Sequence, residues 1–407
     1  MPQTRIRIAV REFTDFENAL AEQIAIYRKQ HPDIEFEAVQ LDLHHLHAEL
    51  FEKQGLANGT WDIGYLSTDW LAEAVEVHAA ENLTPWLKRQ PIPEWPDGWA
   101  RSIVEPLYFG EDLYALPWHD GPECLIYRRD LFEDPAEQQT FQKRFGYALQ
   151  PPRTWKQFSD IAHFFTRPDK KLYGTMLAAF PDGHNTLYDF ALQLWSRGGE
   201  LNAALDAPEA IASLDFYRNT IRDASMCYPG AVSLDSTRSG DVFLSGSVAM
   251  MVNWFGFAAR CDRPGSPLSG KVAIAPIPSD EGKPPVSLSV FWTLAIGTGS
   301  KHKQAAFDFL HFLSQPELDK GILKHGTVGV RLSTWRDPEV QRNTPAYGKI
   351  EEISLGARKL PRSRELPAFA AILNDVATEA LTTDEPSARI LKKAQRRISA
   401  EGITLRG

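Results

Sequence analysis

The side chains in this sequence best suited to holding a small molecule are acids and tryptophans that follow short apolar runs. Asp69 and Trp70 come just after Ile63-Gly64-Tyr65-Leu66, and Trp118, His119 and Asp120 close the run that begins at Leu113. Trp254 follows Met250-Met251-Val252-Asn253, Trp292 stands in Val290-Phe291-Trp292-Thr293, and Glu12 lies just past Ile6 to Val10. Asn185 and Tyr188 open an aromatic stretch that runs to Trp195, and Arg331 follows the glycine-rich Gly326-Thr327-Val328-Gly329. An indole offers a flat apolar face, and ionised side chains make stronger hydrogen bonds than neutral ones. Together these groups suit a ligand with apolar ring faces and a rim of hydroxyls, as a sugar has.

Most of these residues have a structural alternative that their types suit as well. Asp69 precedes Trp70-Leu71-Ala72-Glu73-Ala74 and makes a good helix N-cap, with Trp70 then closing a core. Tyr188, Leu192 and Trp195 share a helical face, which core packing also uses, and Arg331 suits an ion pair as well as a fork onto hydroxyls or an anionic substituent. His119 beside Asp120 invites a general-base reading, but the pair comes with no nucleophile or metal partner, so no catalytic residue is assigned. His44, His45 and His47 do not converge on one helical face, and no metal is expected. Lys392-Lys393 with Arg396-Arg397 reads as the charged outer face of a last helix. A G-x-S-x-G elbow, a Walker loop, an HExxH and a dinucleotide fingerprint are all missing, so no cofactor is expected and the protein is read as a non-enzyme.

The elements that must position these groups alternate. Ile6 to Val10 has strand character, and Phe16, Leu20, Ile24 and Tyr27 follow at helical spacing. His31-Pro32-Asp33 ends that helix, Ile34, Phe36 and Ala38 alternate as a strand, Leu43, Leu46 and Leu50 start another helix, and Trp61 to Leu66 reads as a third strand. Strands alternating with helices predict a sheet that is mostly parallel, and ligands of such sheets sit beyond the carboxyl ends of the strands. Farther on, Leu113 to Trp118, Leu125 to Tyr127, Val272 to Pro278 and Val286 to Ile296 read as strands, Thr186 to Trp195 and Ala305 to Leu313 as helices, and a last helix turns Leu391, Ala394 and Ile398 inward.

At 407 residues the chain has the length of two domains, on a prior of roughly 100 to 200 residues each. A hydrophobic content of 43% and a charged content of 24% are those of a globular protein. No window approaches the roughly 18 to 20 apolar residues of a membrane helix, and a net charge of −9 argues against nucleic acid as a partner. Cys124, Cys227 and Cys261 form neither a disulfide framework nor a thiolate metal site, although one pair remains free to bridge. Met1-Pro2-Gln3-Thr4-Arg5 lacks the pattern of a secretory leader, so either a leader has been removed or the chain is cytoplasmic.

An ordered series of segments is similar to the family 1 extracellular solute-binding proteins of ABC importers, the group of the maltose-binding protein. The helix ending in His31-Pro32-Asp33-Ile34 resembles that family's opening, and Trp61-Asp62-Ile63 its "PDV" strand entry. Leu113-Tyr114-Ala115-Leu116-Pro117 resembles "G-Y-A-L-P", Leu125 to Phe132 "LYYNKDLF", and Pro152-Arg153-Thr154-Trp155 "P-x-TW". Phe243 to Met250 looks like "F-x-x-G-x-x-AM" with Asn253-Trp254 behind it, and the likeness runs on through Ala306 to Leu313 and Gly326 to Arg331.

The resemblance implies an α/β two-lobed periplasmic-binding-protein fold of type II, with a mostly parallel sheet flanked by helices in each discontinuous lobe. Residues 1–113 with 291–325 would form the N-terminal lobe and 120–288 with 328–407 the C-terminal lobe, with crossings near 114–119, 289–290 and 326–327. It further implies an extracytoplasmic monomer that closes on a carbohydrate by hinge motion and delivers it to the membrane subunits of an ABC permease. On the same basis Asp69 and Trp70 lie in a ligand-contacting loop, and Trp118, His119 and Asp120 lie at the floor of the cleft. Trp254 is then the sugar-stacking tryptophan, Asn185 and Tyr188 contact solute from the second lobe, and Trp292 faces the cleft or locks the hinge. An enzyme or a sensory receptor subunit on the same scaffold is the alternative.

Overall fold

The computed structural model describes residues 4–182 and 184–405. The chain divides into two compact units, Met1–Gly121 with Ser289–Gln341 and Pro122–Leu288 with Arg342–Gly407. Two main sheets carry them. Their strands, in chain order, are β1 (Thr4–Arg11), β2 (Ile34–Leu41), β3 (Ile63–Ser67), β4 (Leu116–His119), β5 (Glu123–Arg128), β6 (Tyr173–Met176), β7 (Val248–Trp254), β8 (Val272–Ala275) and β9 (Trp292–Ile296).

In the first unit the sheet order is β2-β1-β3-β9-β4. The opening β-α-β-α-β succession pairs as its alternation predicts, with β1 parallel to both β2 and β3. The helix Thr14–Gln30 covers this sheet because Phe16, Ala19, Leu20, Gln23 and Tyr27 fall on one buried face. Its sequence pattern misses Gln23, a polar residue turned inward, where Ile24 was expected. A second apolar helix, Lys303–Leu313, packs against the first, with Tyr27 edge-on to Phe309 at 5.1 Å and to Phe312 at 5.0 Å.

β9 runs antiparallel to both β3 and β4, so the sheet is mixed and not mostly parallel. The reason lies in the chain path. β4 ends at the edge where β3 ends, and the chain re-enters this sheet at the same edge, with Trp292 opposite both Ser67 and His119. A strand that enters where its neighbours finish must run the other way.

The second unit departs further from the parallel expectation. Its order is β8-β5-β7-β6; β5 is antiparallel to β8 and β7, and only the β6–β7 ladder is parallel. The helix Trp155–Phe165 buries Phe158, Ile161, Ala162 and Phe165, and is capped by Thr154, whose hydroxyl accepts from the Gln157 N–H at 3.2 Å. The Thr154-Trp155 pair read from the sequence is therefore a helix start. The helices Asn185–Trp195, Pro208–Arg222, Leu366–Thr382 and Ser387–Glu401 complete this unit. Cys124, Cys227 and Cys261 are buried free thiols.

The third chain crossing is not where the motif order suggested. Residues 328–341 belong with the first unit, because Asp319 takes hydrogen bonds from the Val330 and Arg331 N–H groups and the Thr334 hydroxyl. Gly329 is required in this clamp, since a Cβ there would stand 2.6 Å from an Asp319 carboxylate oxygen. Trp335 is buried over it, its Nε1–H donating to the Gly329 carbonyl at 2.7 Å.

Candidate functional site

In the first unit, the carboxyl ends of β3 and β4 and the start of β9 meet along one sheet edge, where Ser67, Trp292 and His119 are register neighbours. Trp292 is half-buried there, edge-on to Trp70 at 5.8 Å and to Phe16 at 6.2 Å. Trp70 is buried beneath it and is wedged from the other side by His47 at 5.2 Å and Phe51 at 6.2 Å. His47 is oriented by Glu73, which lies 2.8 Å from its Nε2. Phe16 also packs on His119 at 4.7 Å. Trp70, His119 and Trp292 are thus brought together, with Asp69 half-buried at the same turn.

His119 and Asp120 are fastened to Val328. The Val328 N–H donates to His119 Nδ1 at 2.9 Å, and the Asp120 N–H donates to the Val328 carbonyl at 3.3 Å. An imidazole that accepts at Nδ1 carries its proton on Nε2, and burial pushes the His119 pKa down to about 3, so the ring is a neutral donor. Asp120 is 2% exposed, and its Oδ1 has no hydrogen-bond partner among the described residues. Burial pushes its carboxyl up to about 7, against a smaller opposing effect of the Gly121 N–H.

Two residues expected in a ligand lining are core residues instead. Thr293 pairs with Pro117 and Trp292 with His119, so Trp118 is the extra residue of a β-bulge. It turns inward onto Tyr65 at 5.0 Å and Phe16 at 5.3 Å, and its indole N–H is taken by Gln23 Oε1 at 2.9 Å. Arg331 is also buried. Its guanidinium lies 4.2 Å above the Trp99 ring, donates to the Ser314 carbonyl at 2.8 Å and is paired with Glu94, and its buried Nε has no hydrogen-bond partner among the described residues. Glu12 is exposed just past β1, with its N–H donating to the Leu41 carbonyl at 2.7 Å.

In the second unit, antiparallel pairing sets Glu123, at the start of β5, opposite Trp254, at the end of β7. Trp254 is half-buried, and Tyr188 stands edge-on to it at 5.6 Å. Asn253 braces the turn: its amide donates to the Ser236 carbonyl at 3.0 Å, and its Oδ1 accepts the Trp254 N–H at 2.8 Å. Tyr188 is aimed by the helix Asn185–Trp195, whose start is held by Asp182 through the His184 and Asn185 N–H groups at 3.0 and 2.8 Å. The Asn185 side chain is spent on the same acid, Nδ2 donating to Asp182 Oδ2 at 2.7 Å, so Asn185 builds the turn that carries Tyr188.

Glu123 and Asp189 were not singled out from the sequence. Glu123 is 4% exposed, and neither its Oε2 nor Asp189 Oδ2 has a hydrogen-bond partner among the described residues. Burial raises both carboxyls, and the negative charge of Asp189 raises Glu123 further. A signal was present: each is a lone acid in an apolar run, Glu123 before Cys124-Leu125-Ile126 and Asp189 between Tyr188 and Phe190.

The histidines that looked like a cluster go to different acids, His45 to Asp42 and His47 to Glu73. Among the described residues no group of three metal-ligating side chains forms, and no helix is long and apolar enough to cross a membrane.

A family model described as bacterial extracellular solute-binding protein matches residues 11–320. A mannitol-binding protein of Pseudomonas aeruginosa is 24% identical over 409 aligned residues, covering 92% of this chain and 88% of its own. Among solved structures, the maltose-bound MalE3 of T. maritima is 21% identical with a TM-score of 0.84, covering 98% of this chain and all of its own. An ABC transporter solute-binding protein from Agrobacterium radiobacter in complex with ribitol is 23% identical with a TM-score of 0.84, over 98% of this chain and 100% of its own.

Proposed function

The chain belongs to the bacterial extracellular solute-binding proteins and has the two-lobed fold of the periplasmic binding proteins, and on that premise we propose that it captures a sugar or polyol for an ABC importer. One observation carries the ligand class: each unit presents a half-buried tryptophan at one end of its sheet, with a buried carboxyl that has an unused oxygen close by in the chain or in register. Trp292 and Trp254 supply apolar faces, and Asp120 and Glu123 supply acceptors for hydroxyl hydrogens. The mannitol and ribitol named for two of the similar proteins are ligands of this chemistry.

In this reading solute is trapped by hinge closure, as in periplasmic binding proteins. Only contacts made in the closed state favour closing. A shift from 1:99 to 99:1 needs about 5.5 kcal/mol, within reach of two aromatic faces and a few hydrogen bonds. The closed form is then the one delivered to the permease, outside the cytoplasmic membrane. The role is read as binding without chemistry on the solute, and His119 fits it: its Nδ1 accepts the Val328 N–H and burial lowers its pKa.

A thermal-shift screen over sugars, sugar acids and polyols tests the reading, because a ligand that binds only the folded protein raises its melting temperature. At least one compound is expected to do so and to be recovered unchanged. A shift with peptides or polyamines alone rejects the ligand class, and conversion of a bound glycoside rejects the non-enzymatic role.

A further inference from the structure

One imidazole at the first unit's sheet edge has its two nitrogens in different surroundings. The bulge that turns Trp118 into the core leaves His119 opposite Trp292, whose indole is half-buried. The Val328 N–H donates to His119 Nδ1 at 2.9 Å, and the Val328 carbonyl accepts the Asp120 N–H at 3.3 Å, so one buried residue holds both the ring and the backbone beside it. Phe16 packs against the same ring at 4.7 Å. An N–H that donates to Nδ1 needs a lone pair there, which puts the proton of the neutral ring on Nε2. His119 itself is only partly buried. Its Nε2 has no hydrogen-bond partner among the described residues, yet it is not shut off from solvent as the unpartnered Oδ1 of Asp120 is.

Resting on the carbohydrate reading above, we infer that His119 is a specificity-determining residue that donates its Nε2–H to an oxygen lone pair of the solute, with the Val328 N–H as the lock that keeps the ring in this form. A neutral imidazole free to move its proton between nitrogens offers a donor or an acceptor as the ligand demands, and a fixed Nδ1 acceptor removes that choice. A sugar hydroxyl or ring oxygen meets the remaining N–H. A solute that brings an ammonium or amide N–H to the same place sets donor against donor and forfeits the hydrogen bond. The Trp292 indole alongside offers an apolar face to the carbon skeleton of the same solute. Family likeness does not specify which nitrogen acts; the contact with Val328 does.

The test reads the two ring nitrogens directly, by long-range nitrogen–proton NMR of the histidines at pH 7, with His119 assigned from the signals lost in His119→Gln. The unliganded protein is expected to show the Nε2–H tautomer. D-Mannitol, ribitol, D-glucose and maltose are then titrated in, and at least one is expected to move the Nε2 resonance more than that of Nδ1. By calorimetry that compound is expected to bind His119→Asn about 10-fold more weakly than the parent, one hydrogen bond's worth. His119→Gln, whose longer amide brings an N–H toward the place of Nε2, is expected to recover most of the affinity. An Nδ1–H tautomer or an imidazolium in the unliganded protein overturns the lock, and this reading is made on the unmodified chain whether or not a variant folds. A compound that binds without moving the Nε2 resonance, or that binds a folded His119→Asn as tightly as the parent, overturns the contact while leaving the carbohydrate reading standing. Failure of all four compounds, with a thermal shift only for peptides or polyamines, removes the carbohydrate reading and the inference with it.

Discussion

Asp120 shows how a buried carboxyl destabilises the fold that holds it. Its carboxyl is raised to about 7 in the folded chain, against about 3.9 when unfolded, so the folded state holds an extra proton between those values. Stability is unaffected by this group below pH ~4, falls as pH rises from ~4 to ~7, and carries the full cost of about 4 kcal/mol above that. Asp120→Asn is therefore expected to melt higher than the parent at pH 8 and equally at pH 4; equal destabilisation at both pH values would show a carboxylate held by donors. The tryptophans divide in the same way. Trp118→Ala opens a cavity under Phe16 and strands Gln23, and a loss of about 3–5 kcal/mol in denaturant unfolding is expected. Trp254→Ala removes a half-buried ring and is expected to weaken solute binding 10-fold or more with a stability loss under about 2 kcal/mol.

Among the elements, the helix Asn185–Trp195 links a capping acid to the ring proposed to meet solute. Asp182 accepts the His184 and Asn185 N–H groups, and Tyr188 sits one turn into the helix against Trp254. Asp182→Ala is expected to cost about 1 kcal/mol as a lost cap and, in addition, to weaken binding by loosening Tyr188. If the cap only stabilises the helix, solute affinity at saturating folded fraction stays unchanged. The bulge in β4 acts at the same scale in the first unit: one extra residue sends Trp118 to the core and leaves His119 level with Trp292. Residue types alone do not reveal such a bulge, because a Leu-Pro-Trp-His-Asp run is compatible with either residue facing in.

At the scale of the molecule, the proposed hinge closure predicts a smaller radius of gyration in solution scattering when ligand is added. An unchanged scattering profile at saturating ligand would mean that binding does not proceed through closure. Arg331 provides a control that separates folding of the first unit from capture. Arg331→Ala removes the partner of Glu94, the cation above Trp99 and the donor to the Ser314 carbonyl but keeps the backbone N–H that Asp319 accepts, so a loss of about 1–3 kcal/mol is expected with the ligand preference of the surviving folded protein unaltered.

The order of motifs from His31-Pro32 to Gly326 was enough to identify the family, because hydrophobic period, turn residues and their sequence are local properties that survive without coordinates. The helices at Phe16 to Tyr27, Thr186 to Trp195 and Ala305 to Leu313 were legible for the same reason. Which tryptophan is half-buried and which is core was not legible, since Trp70, Trp118, Trp254 and Trp292 all follow apolar runs and differ only in what packs behind them. Nor was the mixed direction of the sheets, which depends on the edge at which a returning chain re-enters. The tertiary structure alone decided that Arg331 is buried and paired with an acid and that Glu123 is buried without one, because satisfying a buried charge depends on partners far away in sequence, as Glu94 is from Arg331.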